Sequence, residues 1–141
     1  MYATLDDLKK QLPEDLLIQL TDDGGAGIID TTVTDAALET ADVEIDGYLG
    51  ARYDLPLASP VPTIVDKMAV DIAIYNLYAR RQGPPEHWQK RYDNTIRFLE
   101  RLADGRITLG KDDPVEVVTT SGSMLSTTSP RLFTRTTMKG L

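Results

Sequence analysis

The chain has 141 residues, 41% of them hydrophobic and 26% charged, with no cysteine, one histidine and a formal net charge of −7. That composition suits one folded domain able to bury roughly 68–70% of its unfolded surface, and it excludes wholesale disorder, disulfides, thiolate metal sites and cysteine nucleophiles. No apolar run approaches the ~20 residues of a membrane-spanning helix, and Asp6, Asp7, Lys9 and Lys10 break the stretch a signal peptide would need, so neither is expected.

The first helix is expected from Thr4, which can form a capping box with Asp7, and Leu5, Leu8 and Leu12 share one face. Pro13 ends that helix and opens a second short one over 14–20, carrying Leu16, Leu17 and Leu20. Asp22-Asp23-Gly24-Gly25-Ala26-Gly27 reads as a flexible loop whose acids keep it soluble.

A long helix should begin between Thr32 and Asp35 and run to about Leu49, with Leu38, Ala41, Ile45, Tyr48 and Leu49 inward. Asp35, Glu39, Asp42 and Asp46 recur at i, i+4, i+7 and i+11 and form an acidic stripe on its other face. Pro56, Pro60 and Pro62 then push the residues before them towards extended geometry, which makes 51–62 a stiff connector.

The next helix is expected over 62–81, with Ile64, Val65, Met68, Ala69, Ile72, Tyr75 and Ala79 facing the core. Asp71 interrupts its apolar run. A buried unpaired carboxylate is costly, so Asp71 is expected to border the core and pair with Arg52 or a tyrosine hydroxyl. Gly83-Pro84-Pro85 separates this helix from the last, 85–103, which buries Trp88, Tyr92, Ile96, Leu99 and Leu102 and ends at Gly105. Its outer face carries a basic stripe of Lys90, Arg97 and Arg101, with Asn94 among them.

Beyond Gly105 the helical pattern stops, and Ile107, Leu109, Val115, Val117 and Val118 suggest short strands or extended chain. Thr119 to Thr137 is dominated by serine and threonine and buries too little apolar surface to offset its ordering entropy alone. Glu116 against Arg131, Arg135 and Lys139 gives residues 114–141 a charge of +2, leaving −9 on residues 1–113. The expected architecture is therefore mainly α: a small bundle of two short and three long helices over 1–113, with an extended, partly β C-terminal arm over 114–141. Leu125, Arg131, Leu132, Phe133 and Met138 are the arm's candidate docking residues, large side chains being what an interface pocket receives.

Little in the sequence points to catalysis. His87 stands at a helix start without visible partners, and Asp22/Asp23 and Asp112/Asp113 lack the spacing of a calcium loop. Gly110-Lys111 lacks the earlier glycine and the following Ser or Thr of a phosphate-binding loop. No catalytic, cofactor or metal site is indicated, and an enzyme is not expected. An acidic body repels phosphate backbones, so DNA passing nearby should slide past without specific binding. The acidic stripe has three readings: a solvated face, a channel lining, or an electrostatic match to the basic stripe on a neighbouring copy.

Three internal segments, Ile45-Asp46-Gly47-Tyr48-Leu49, Arg52-Tyr53-Asp54-Leu55-Pro56-Leu57 and Ala69-Val70-Asp71-Ile72-Ala73, occur in an order that resembles the Mu-like phage and prophage head-tail connector family. The opening Met1-Tyr2-Ala3-Thr4 and the ending Ser129-Pro130-Arg131-Leu132-Phe133-Thr134-Arg135-Thr136-Thr137-Met138-Lys139-Gly140 are similar to it as well. The resemblance implies a structural adaptor in the virion, at the head-tail junction, assembled in the host cytoplasm. Such an adaptor forms a homo-oligomeric ring, commonly of twelve copies, below the portal protein. It extends the DNA channel and offers a platform to the tail or tail-terminator protein, and it needs no cofactor. The competing expectation from the residues alone is a small acidic helical binding or regulatory module that masks a basic partner.

Overall fold

A computed structural model describes residues 1–110, which fall within the first of two units, Met1–Lys111. Five helices follow in order: α1 Leu5–Gln11, α2 Glu14–Thr21, α3 Thr31–Leu49, α4 Thr63–Ala79 and α5 Glu86–Ala103. The fold is a mainly α small bundle, with α3, α4 and α5 packed on one another and α1 and α2 bracing α3 and α4.

Local chemistry sets the helix ends. Thr4 and Asp7 close the expected capping box, the Thr4 amide donating to the Asp7 carboxylate at 2.9 Å. A cap of this kind is worth about 1 kcal/mol. Pro13, Pro62 and Pro85 stand at the N-caps of α2, α4 and α5, where a missing N–H costs nothing. The N-cap of α3 is Asp30, whose carboxylate accepts from the Thr32 amide at 2.9 Å, so the helix begins earlier than the sequence reading placed it. At the other end, Gly105 follows α5 with φ +76°, a conformation that favours glycine, and a Cβ there would lie 2.1 Å from the Arg52 guanidinium and push that flexible side-chain end aside.

The core joins all five helices through Leu8, Leu17, Leu38, Ile45, Met68, Ile72, Leu99 and Leu102, each essentially out of water. Removing one, as in Leu38→Ala, leaves a cavity costing about 2–5 kcal/mol. The inward residues expected on α3 are buried or partly buried, but α4 departs from its expected single face. Val70, Ala73, Ile74 and Leu77 are buried together with Val65, Met68, Ala69 and Ile72, whereas Ile64 and Ala79 are exposed. A helix covered by neighbours on several sides is apolar nearly all round, and the even spread of apolar residues over 68–74 is its signature.

Two further expectations change on inspection. Ile107 and Leu109 lie in irregular chain and no strand occurs among the described residues; the Leu109 amide donates to the Tyr53 hydroxyl at 3.1 Å. The loop after α2 is tied down at several points. Asp22 accepts from the Ala26 and Gly27 amides at 2.9 and 2.7 Å, which holds its carboxyl below the ordinary carboxylate range. Asp23 pairs with Arg80 and Arg81 at the end of α4, each at 2.6 Å, while Arg80 also donates to the Leu20 carbonyl. The expected arm, 114–141, lies outside the described residues.

Candidate interaction surfaces

The charged groups that fold this chain can be separated from those it leaves over. Asp71 belongs to the first kind. It is fully buried on α4, deeper than the border position expected for it, and its partners are neither Arg52 nor a tyrosine. Arg91 of α5 meets one carboxylate oxygen at 2.6 Å and Lys67, one turn earlier on α4, meets the other at 2.8 Å. Thr95 stands at 3.5 Å from the second oxygen, and the Arg91 guanidinium lies 4.3 Å from the centre of the Trp88 ring. A buried carboxylate with two cations is compensated and joins α4 to α5. Arg91 lies 20 residues from Asp71, on another helix, so no local pattern announces the pair.

A cleft of about 250 Å³ opens beside this cluster, and Lys10 and Gln11 of α1 also line it. Asp66 faces it with one carboxylate oxygen buried and without a hydrogen-bond partner. Burial, followed by the nearby Asp7 charge, raises the Asp66 pKa.

The acidic stripe of α3 is divided. The Tyr2 amide donates to the Asp42 carboxylate at 3.1 and 3.2 Å, and the Tyr2 hydroxyl donates to Asp46. Burial and then the Asp46 contact drive the Tyr2 hydroxyl pKa upward. Asp42 and Asp46 are thus half-buried under the chain's own N-terminal segment, whereas Asp35 and Glu39 are exposed and pair with no cation among the described residues. Glu44, on the side of α3 that faces α5, accepts from the Tyr92 hydroxyl at 2.7 Å and so ties the two helices together. Tyr92 also stacks on Tyr75 with ring centres 3.9 Å apart. The hydrogen bonds made by Tyr2 and Tyr92 span 40 or more residues of sequence.

The basic stripe of α5 divides in the same way. Lys90 pairs with Glu86 at 3.0 Å along the helix. Arg97 and Arg101 are exposed, and no carboxylate among the described residues pairs with either. Most other Lys and Arg side chains in this region are in ion pairs, with Lys9 and Arg52 the remaining exceptions. His87 is exposed at the start of α5, next to Trp88. No cluster of three or more His, Cys, Asp or Glu suited to a metal occurs among the described residues. The arm residues Leu125, Arg131, Leu132, Phe133 and Met138 lie outside them.

Outside the Asp66 cleft, the exposed charges in no ion pair among the described residues include Asp35 and Glu39 on α3 and Arg97 and Arg101 on α5. The family model described as Bacteriophage Mu, Gp36 matches residues 2–128. The chain is similar to the Mu-like prophage FluMu protein gp36 of Haemophilus influenzae, 34% identical over 140 residues that cover 99% of this chain and 97% of that protein. It is also similar to Gene product J of Escherichia phage Mu, 36% identical over 110 residues, or 77% of this chain and 76% of the other.

Proposed function

Given that the chain belongs to the bacteriophage Mu Gp36 family, we propose that it is a structural protein of the phage particle that acts as its head-tail connector. In this reading it docks as a ring, commonly of twelve copies, beneath the portal protein, extends the DNA channel and receives the tail or tail-terminator protein. Its place is the head-tail junction of the virion, reached by assembly in the host cytoplasm. Catalysis has no part in the role.

The observation that carries the reading is the pairing of family membership with a surface of unsatisfied, opposite charges on two different helices. A rigid helical body with separate acidic and basic faces is suited to repeated contact with copies of itself. The wider charge balance agrees, because an acidic body whose cations are mostly engaged in ion pairs offers few free cations to DNA phosphates. DNA would pass without being held.

The competing reading, an acidic module that masks a basic partner, needs Asp35, Glu39, Asp42 and Asp46 as one open stripe. Tyr2 engages the second half of that stripe, which counts against that reading.

Disrupting the gene in the phage or prophage that carries it tests the connector role. The expected result is heads and free tails that accumulate unjoined, with tailed particles restored by supplying the protein in trans. Tailed, infectious particles formed in its absence would overturn the proposal.

A further inference from the structure

Among the described residues, nothing covers the outer face of α3. Asp35, Ala36, Glu39, Thr40, Val43 and Gly47 are all exposed, and Val43, at 71%, is the most exposed of the large apolar side chains described. A Cβ at Gly47 would meet nothing within 4 Å among the described residues, so none of them requires glycine there. Glycine within a helix is nonetheless less favourable than alanine. On the outer face of α5, Arg97 and Arg101 stand one turn apart without partners among the described residues, as Asp35 and Glu39 do on α3. Like charges at that spacing repel within a helix. Each helix thus carries a like-charged pair, the one on α5 flanked by the exposed Asp93 and Glu100, and the two pairs match in spacing, about 6 Å along the axis, and are opposite in sign.

We propose that the outer face of α3 in one copy docks on the outer face of α5 in the next copy, Asp35 and Glu39 meeting Arg97 and Arg101, with Val43 covered by the contact. The occupant of the α3 face is a second copy of this chain, and the argument for it is the charge complementarity just described. The inference rests on the connector reading, for which it supplies the joint between subunits. The two faces belong to different helices, so the contact is head-to-tail and propagates around a ring instead of ending in a two-fold dimer. Charge pairs of this kind set register and encounter rate more than affinity. Contact at Val43 supplies apolar burial, and Gly47 allows close approach.

The test is charge reversal with exchange in the full-length chain. One variant carries Asp35→Lys with Glu39→Lys, a second carries Arg97→Glu with Arg101→Glu, and a third carries all four. Self-association is followed by sedimentation and native mass spectrometry, with and without the portal protein, and circular dichroism confirms that each variant folds. Each two-site variant should associate at least about tenfold more weakly than the parent at low salt, since both of its faces then bear one sign. An equimolar mixture of the two, and the four-site variant alone, should each recover the parent's association.

Variants that assemble like the parent, or a mixture and a four-site variant that both fail to recover, overturn the interface while leaving the connector reading intact. A parent chain that stays monomeric even with the portal overturns both. If the second variant loses DNA binding but assembles normally, Arg97 and Arg101 serve nucleic acid and the inference falls.

Discussion

Replacing Arg91 by methionine tests how charge is managed in the core. Asp71 is out of water with its carboxylate between Arg91 and Lys67, but the two cations differ: the Arg91 side chain is 33% exposed and that of Lys67 57%. Methionine keeps much of the aliphatic packing near Trp88 and removes the shorter of the two ion contacts. Stripping a partner from a buried carboxylate costs about 3–5 kcal/mol; because water reaches Arg91 from one side, the lower end, about 3 kcal/mol, is expected. Lys67→Met removes a mostly solvated partner and should cost about 1 kcal/mol or less. For a domain of this size the first loss corresponds to a melting temperature lowered by roughly 10 °C, the second by a few degrees at most. Urea denaturation followed by circular dichroism gives both values. The pair Asp71→Leu with Arg91→Met, which removes both charges, should recover much of the single-variant loss. Equal losses for Arg91→Met and Lys67→Met, or a double variant no better than Arg91→Met, would refute the reasoning.

Asp66→Asn should stabilise the chain at neutral pH. The folded state raises the pKa of this carboxyl, so its ionisation opposes folding: the wild type loses stability as pH rises from the unfolded pKa through the folded one. Asn removes that loss, and its advantage should vanish in acid below both values, as melting curves across pH will show. Gly105→Ala forces a side chain into φ +76° and into the Arg52 guanidinium, and should cost about 1–2 kcal/mol; Arg52→Ala in the same chain should return the steric part only. Tyr92→Phe keeps the stack on Tyr75 but leaves Glu44 without its donor, and about 1 kcal/mol should be lost in denaturant titration. Asp23→Ala unfastens the 22–27 loop from Arg80 and Arg81, so the loop's amides should exchange hydrogen faster while those of α4 keep their protection.

Much of the fold is legible because its punctuation is local. Thr4 with Asp7, Pro13, Pro62, Pro85 and Gly105 act within a turn of the helix ends they fix, and the spacing of Leu38, Ala41, Ile45 and Leu49 marks a buried face directly. The start of α3 was harder to place because Asp30, Thr31 and Thr32 are all competent caps, and the choice depends on which amide the Asp30 carboxylate reaches. Partners across the bundle leave no such mark. Asp71 shows that a carboxylate needs compensation but not that Arg91 provides it. Asp42 and Asp46 share a helical stripe with Asp35 and Glu39, and only the return of Tyr2 across α3 separates the four into two engaged and two free. The Asp22-Asp23 loop looks flexible by composition, because the arginines that fasten it stand almost sixty residues away, at the end of α4. Reading the candidate surface therefore required both levels: the stripes come from periodicity, and the unsatisfied half of each emerges only once the folded chain has taken its share.

The central claim is that this chain works as an assembled ring on the portal, and native mass spectrometry of the purified protein with the portal protein of the same phage tests it most directly. The account predicts a portal complex carrying many copies of the chain, commonly twelve, which loosens as salt rises. A monomer or dimer that ignores the portal under the same conditions would contradict it.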